Sequence, residues 1–352
     1  HAESYGMMDL RISKPMQFDT IFRIYSMSKP ITSVAIMMLF EEGLFRISDP
    51  ISNFIPAFKD VKVLQSQAGD EIQLVKPTRE ITFRDLLSHT SGLSYGFEQN
   101  TYIDDLYRKH IWEKADKDPN ATLASVLDSL PLIPLVLQPG SAWHYSIATD
   151  LLGYLVQIIS GKPFETFLKE RIFDPLGMVD TSFYVSQEKL DRFACNYGKG
   201  ENGNLVDIDP IEKTSYTNPH RVPFGGAGLV STASDYLRFT HMLLNKGELE
   251  GTRLLGRKTI ELMTMNHLPE GIYSSADQAN GFGLGFNVLL DIAKHQNLGS
   301  VGTYGWAGAA STFFRIDPVE EIVALQLIQF IPNDSTPIHI DFLNMLYQAL
   351  VD

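Results

Sequence analysis

Three strand-like segments near the end of the chain constrain its fold more than anything before them. "GFGLGFNVLLDI", "GTYGWAGAASTFFRIDP" and "EIVALQLIQF" are rich in aromatic and β-branched residues, which suit a pleated, half-buried surface. They follow a long block of helical patterns at 103–114, 121–130, 147–160 and 163–172. A helix over roughly 338–350 closes the chain. At the other end, residues 1–12 read as a short strand pair and 26–43 as a helix. In that helix Ile31, Val34, Ala35 and Met38 fall at i, i+3, i+4 and i+7, and Gly43 is placed to end it. Helices and strands segregated in this way predict an α+β protein with a helical insertion. The expected division is a discontinuous sheet lobe from 1–50 and 280–352, with a mainly helical lobe from 51–279.

Bulk properties narrow the function. The 352 residues allow about two domains. Forty-four per cent are hydrophobic, ample for a core. Twenty-nine basic residues stand against 42 acidic ones, giving a formal charge of −13. An acidic chain without a basic cluster is unsuited to nucleic acid or an anionic membrane surface. The single cysteine, Cys195, excludes an intrachain disulfide framework and fits a reducing compartment. Apolar runs such as Val34–Phe40 are far short of a membrane span. The start, "HAESYGMMDL", shows no signal peptide and no initiator methionine. A cytoplasmic location and a processed or truncated N-terminus are the expectations.

Two serines compete for a nucleophilic role. Gly92-Leu-Ser94-Tyr-Gly96 matches the G-x-S-x-G elbow, which needs a strand, a tight turn and a departing helix. Here Phe83, Leu86 and Leu87 are helix-spaced, Gly92 reads as a helix C-cap, and the residues after it are polar and loop-like. The setting is wrong for the elbow. The second candidate is Ser26-Met-Ser-Lys29, an S-x-x-K at the start of the 26–43 helix. Spacing i, i+3 puts serine and lysine on one face. The helix N-terminus favours an alkoxide and an oxyanion. A lysine becomes a base when desolvated. Alone this motif is weak, since chance supplies about one match in such a chain. Ser186-Gln-Glu-Lys189 is another, read as a solvated helix start.

The surrounding blocks are more specific. "FRIYSMSKPIT", "ITFRDLLSHTSGL", "PGSAWHYS", "LLGYLVQIISGKPFETFLKERIFDPLGM" and "GGAGLVSTASDYLRF" stand in an order that resembles the serine β-lactamase and penicillin-binding-protein superfamily. The likeness is greatest to class C β-lactamases and family VIII carboxylesterases. It implies an antiparallel sheet flanked by helices, a mostly helical second lobe and an active site between them. Ser26 matches the nucleophile and Lys29 the motif lysine. Tyr145 matches the tyrosine of the second motif, which moves protons as a phenolate held by Lys29 or as a relay to it. Class C enzymes carry Tyr-x-Asn there; this chain has Ile147 at the asparagine position. Trp306-Ala307-Gly308 replaces Lys-Thr-Gly, so the lysine that assists recognition of a β-lactam or peptide carboxylate is missing. The backbone N–H groups of Ser26 and Ala309 are the implied oxyanion hole, with Gly308 allowing close approach. A helix and a first strand that usually precede this region are not in the sequence, so the expectation is either that the sequence starts late or that the sheet lacks an edge element.

Other residues are less determined. Asp150 is placed to hold Lys29, to support the tyrosine network or to cap the 147–160 helix. Tyr95 and Phe97 are candidates for the pocket mouth. Thr232 and Asp235 form a helix-capping pattern. No H-E-x-x-H or Cys/His cluster suggests a metal. Gly281-Phe-Gly-Leu-Gly285 lacks the helix of a dinucleotide loop, and His144 stands in no recognisable Ser/His/Asp setting. The resulting expectation is a serine carboxylesterase for short-chain esters that needs no cofactor. The alternatives are a β-lactamase or D-peptidase, an acyltransferase of the same fold, and a non-catalytic binding homologue.

Overall fold

Helix α1, Ser28–Glu41, is buried along nearly its whole length, from Ser28 to Leu39. Few of its residues are charged, so almost every face can contact the core. Pro30 lies in its first turn, where the N–H it lacks has no helical partner. Gly43, at φ +75°, ends it, with the Gly43 and Leu44 N–H groups returning to Phe40 and Leu39 carbonyls. The computed structural model describes residues 1–69, 71–332 and 338–351.

Against α1 packs α2, Ala148–Ser160, which is apolar on its inner face and stopped by Gly161 at φ +69°. Helix α3 spans Ala233–Leu244. The Thr232 hydroxyl accepts the Asp235 N–H at 3.2 Å. The Asp235 carboxylate does not complete a capping box. It accepts instead from the Asp180 N–H and the Thr181 hydroxyl, tying α3 to the preceding loop.

The main sheet is antiparallel and five-stranded: β1 Asn280–Phe282, β2 Asn287–Leu289, β3 Tyr304–Gly308, β4 Thr312–Asp317 and β5 Ile322–Gln326, in that order. Alternation in β4 sends Phe314 toward α3, where its ring meets Tyr236. Phe313 points toward α4, Ile338–Gln348, and meets Phe342. Helices thus cover both faces, and the β-lactamase/DD-peptidase-like α+β architecture is the observed one. Among the described residues no helix is long and apolar enough to cross a membrane.

Several small sheets were not foreseen, among them the following two. Val63–Ala68 pairs with Glu71–Val75 inside the block expected to be helical. Tyr197–Lys199 pairs with Leu205–Asp207 on one side and, in parallel, with Phe330–Ile331 on the other. The first pair is exposed and polar for most of its length, so it carries little of the burial signal that marks a strand in sequence.

Candidate active site

The chain enters the site on Phe22–Arg23, which pairs with Val230–Ser231. Arg23 is fully buried. It donates to Asp209 and the Ala194 carbonyl and lies over the Phe193 ring. Tyr25 then adopts φ +42°, a conformation that is costly for a residue with a side chain. Its hydroxyl accepts from Asn196 at 2.9 Å. This turn places Ser26 in the short 3₁₀ segment Tyr25–Met27 that runs into α1.

Lys29 follows one turn later and is 2% exposed. Its ammonium donates to the Gly226 carbonyl at 2.7 Å and to Ser26 Oγ at 3.3 Å. The Tyr145 hydroxyl lies 2.6 Å from the same Oγ. Lys29 Nζ is 4.6 Å from the centre of the Tyr145 ring. That ring is confined by Tyr95, His89 and Trp306, with centroids at 5.6, 5.0 and 5.7 Å. Serine and lysine, one turn apart, and a tyrosine distant in sequence therefore meet at one oxygen.

Asp150, in the first turn of α2, is fully buried. It accepts the Gly226 N–H at 2.8 Å and lies 3.4 Å from the Tyr95 hydroxyl. It makes no hydrogen bond to Lys29 among the described residues. Burial raises its carboxyl above the usual range, opposed by the positive charge of Lys29 and the Gly226 bond. Burial and the Asp150 charge also push the Tyr95 phenol well up, so it stays protonated. Tyr95 stacks behind Tyr145 and does not line the cavity at Ser26, contrary to the expected place at its mouth. Phe97, 64% exposed, covers Tyr95 from outside.

Strand β3 closes the other side. β2 pairs only with Tyr304 and Gly305, which leaves Trp306–Gly308 free along the edge that faces Ser26. A Cβ at Gly308 would fall 2.5 Å from the Ile24 carbonyl oxygen, so only glycine permits this approach. Among the described residues the N–H groups of Ser26 and Ala309 have no hydrogen-bond acceptor. Ser26, Tyr145, Trp306 and Ala307 border a cavity of about 250 Å³ that extends beneath α4. Among the described residues the buried Trp306 indole N–H has no acceptor.

Ser94 is elsewhere and differently employed. It is 3% exposed, its hydroxyl donates to Asp104, and His144 Nε2 lies 3.4 Å from it. Serine, histidine and aspartate do meet here, which the sequence did not indicate. The carboxylate binds the serine directly, however, and also accepts the Gly96 and Glu98 N–H groups. A serine that already donates to a carboxylate is a loop anchor. Lys189 of the other S-x-x-K donates to the Val179 carbonyl and pairs with Asp180. Gly226 and His89 were missed by sequence reasoning. Gly226 contributes only backbone, and His89 acts by packing and by accepting the Ser146 N–H at 3.3 Å.

The β-lactamase family model matches residues 1–335. Protein Rv1367c of Mycobacterium tuberculosis is 38% identical over 94% of this chain and 82% of its own length. Esterase EstB of Burkholderia gladioli is 29% identical over 90% and 79%. Among solved structures, EstCE1, described as a hydrolase with promiscuous acyltransferase activity, superposes with a TM-score of 0.83 at 27% identity, over 99% of this chain and 90% of that one. With this fold, this sequence match and these neighbours, the chain belongs to the β-lactamase family and is an enzyme of the serine hydrolase type.

Proposed function

We propose that the protein is a carboxylesterase that cleaves short-chain esters through an acyl-enzyme, with Ser26, Lys29 and Tyr145 as its catalytic set. The observation that carries this reading is the convergence of Tyr145, at 2.6 Å, and Lys29, at 3.3 Å, on Ser26 Oγ beside a confined cavity. Ser26 Oγ attacks the ester carbonyl while its proton passes to the Tyr145–Lys29 pair, which in the reactive form holds one proton less, as a Tyr145 phenolate beside the Lys29 ammonium or as a neutral Lys29 amine reached through Tyr145. The Ser26 and Ala309 N–H groups receive the oxyanion. The proton then goes to the leaving alkoxide as the C–O bond breaks. Water, deprotonated by the same pair, releases the acid and restores Ser26.

Two features favour a neutral ester over a β-lactam. Ile147, fully buried, offers no amide to the site. Trp306 stands where a lysine would meet a carboxylate. Acyl transfer to an alcohol is a second reading of the same acyl-enzyme, favoured by the acyltransferase activity in the description of EstCE1.

The test is turnover of 4-nitrophenyl acetate and butyrate by wild type, Ser26→Ala and Ser94→Ala. Activity should vanish in Ser26→Ala and persist in Ser94→Ala; the reverse pattern overturns the assignment. Adding a short alcohol and measuring ester product separates transfer from hydrolysis, and nitrocefin tests β-lactam cleavage.

A further inference from the structure

The Ser26 and Ala309 N–H groups lie on two segments that one distant dipeptide holds together. Gln329 follows the end of β5 and is 6% exposed. Its side-chain Oε1 accepts the Arg23 N–H at 3.0 Å. Its Nε2 donates to the Arg23 carbonyl at 3.0 Å and to the Ile328 carbonyl at 2.8 Å. Arg23 is 306 positions away in the sequence and lies just before the turn that presents Ser26. The next residue, Phe330, holds the other segment. Its N–H donates to the Ala310 carbonyl at 3.2 Å, and its carbonyl accepts the Ser311 hydroxyl at 2.9 Å. Ala310 directly follows Ala309.

Both segments need such a partner. On one side of Phe22–Arg23, the Ile24 N–H reaches the Leu229 carbonyl, while Val230, opposite Arg23, bonds Ser182 through its own N–H and carbonyl. The main-chain groups of Arg23 therefore face the other edge. There Ile21 meets Phe193 in an isolated bridge, and at Arg23 a side-chain amide takes the place of a strand residue. An amide side chain carries acceptor and donor together, as a peptide edge does. A buried main-chain pair without a partner is costly. The turn from β3 to β4 is short: Gly308 pairs with Thr312, so Ala309, Ala310 and Ser311 alone connect them, with Ser311 at φ +64°. Phe330 binds the second and third of these residues, and Phe330–Ile331 is itself anchored by parallel pairing with Tyr197–Gly198. Between Arg23 and Ser26 lies Tyr25 at φ +42°, a conformation that persists only where its surroundings fix it.

We propose that Gln329 is a positioning residue for the oxyanion hole. Its amide fixes the strand that leads to Ser26, while the backbone of Phe330 fixes the turn that carries Ala309. Because the two residues are adjacent, this strap sets the distance between the two donor N–H groups. Donors held in place before the reaction are what stabilise a developing oxyanion. Gln329 does not border the cavity, so it acts on the reaction only through these two segments. The proposal rests on the esterase reading above and adds to it a residue that touches no substrate.

The test is Gln329→Met, which keeps the length of the side chain and removes its bonds to Arg23 and Ile328. Turnover of 4-nitrophenyl butyrate is measured beside inhibition by butylboronic acid. Ser26 Oγ adds to that boron, its proton passing to the Tyr145–Lys29 pair, and one boronate oxygen takes the place of the oxyanion. In Gln329→Met, kcat should fall by roughly tenfold or more, the inhibition constant should rise by a similar factor, and KM should change little. Leu176→Ala, which opens a gap at a buried residue outside the strap and the cavity lining, controls for lost stability: its melting temperature should fall with kcat unchanged. A loss in Gln329→Met no larger than in Leu176→Ala, or one confined to KM, overturns the proposal. Should Gln329→Met not fold, Ser311→Ala decides, because it loosens the strap from the turn side; it should show the same split more weakly, and wild-type kcat and inhibition in it overturn the proposal. Hydrogen exchange, free of turnover, keeps the two readings apart. Gln329→Met should speed exchange in peptides covering 22–27 and 308–314 together. If it does and wild type cleaves no ester, the strap stands as a link between the segments and the esterase reading fails. If Ser26 cleaves esters and Gln329→Met alters neither kcat nor exchange, the reverse holds.

Discussion

Lys29 and Asp150 do not touch; they grip opposite ends of one residue. Gly226 gives its carbonyl to the Lys29 ammonium at 2.7 Å and its N–H to the Asp150 carboxylate at 2.8 Å. A Cβ on Gly226 would sit 2.5 Å from Asp150 Oδ2, so the residue must be glycine for both bonds to form. In the proposed mechanism Asp150 is thus a positioning residue that acts on Lys29 through a peptide. Asp150→Ala should lower kcat by up to about a hundredfold, the scale of a small misplacement of a catalytic group, with little change in KM. Asp150→Asn keeps an acceptor for the Gly226 N–H and should recover most of that loss. Equal damage in both variants would show that the negative charge, and not the bond to Gly226, is what the site needs.

In the proposed mechanism Tyr145 and Lys29 share one proton-accepting task at Ser26 Oγ. Tyr145→Phe keeps the ring packing against Tyr95 and Trp306 but removes the oxygen at 2.6 Å. Lys29→Met keeps the buried stem but removes the ammonium. Each should reduce kcat on 4-nitrophenyl butyrate by about 10²–10⁴-fold, the usual contribution of a positioned acid or base. The double variant should be hardly worse than the worse single one, because the groups act as a unit. Strict additivity in kcat would argue for two independent roles.

What could be read from the sequence followed from local pattern. Periodicity marked α1 and α2, and aromatic and β-branched density marked β1–β5. Spacing put Ser26 beside Lys29. The motif at Ser94 misled only until its flanks were considered, since Phe83, Leu86 and Leu87 mark a helix before it; that helix ends at Leu87, with Ser88 as its cap and His89 at φ +54°, so Gly92 is a loop residue beyond the end and not the expected C-cap. What could not be read depends on long-range contact. Nothing local says that Gly226 bridges Lys29 and Asp150, that Ser94 donates to Asp104, or that Tyr95 lies behind Tyr145 instead of at the pocket mouth.

The distance between β3 and the nucleophile turn should be as important as the catalytic groups themselves. Gly308 permits that approach, because an added Cβ would meet the Ile24 carbonyl oxygen at 2.5 Å and Thr312 Oγ1 at 2.3 Å. The first is backbone and cannot turn aside. Gly308→Ala should push the strand from Ser26, carry the Ala309 N–H with it and lower kcat by roughly tenfold or more. Gly308→Val should be worse. Unchanged kcat in Gly308→Ala, with the melting temperature also unchanged, would mean that this edge does not hold the oxyanion.

His89 ties the site to acid stability. It is buried against Tyr145, and its Nδ1 accepts the Ser146 N–H at 3.3 Å, which requires an unprotonated Nδ1. Burial, and then the charge of Lys29, hold it well below the ordinary value of 6.5. The sign follows directly. Between its folded value and 6.5, the unfolded chain binds a proton at this position that the folded chain does not. Stability therefore rises with pH across that window and is lost as pH falls below 6.5. His144, His267, His295 and His339 are lowered by burial and act in the same direction. Asp150 and Asp235, raised by burial, act oppositely in a window that begins at 3.8. These other groups are common to wild type and to His89→Asn, which keeps an acceptor near Nδ1 but cannot take up the proton. The melting temperature of wild type should fall between about pH 7 and pH 5, and that of His89→Asn should fall less over the same interval. Parallel curves for the two proteins would show that another group sets the acid limit.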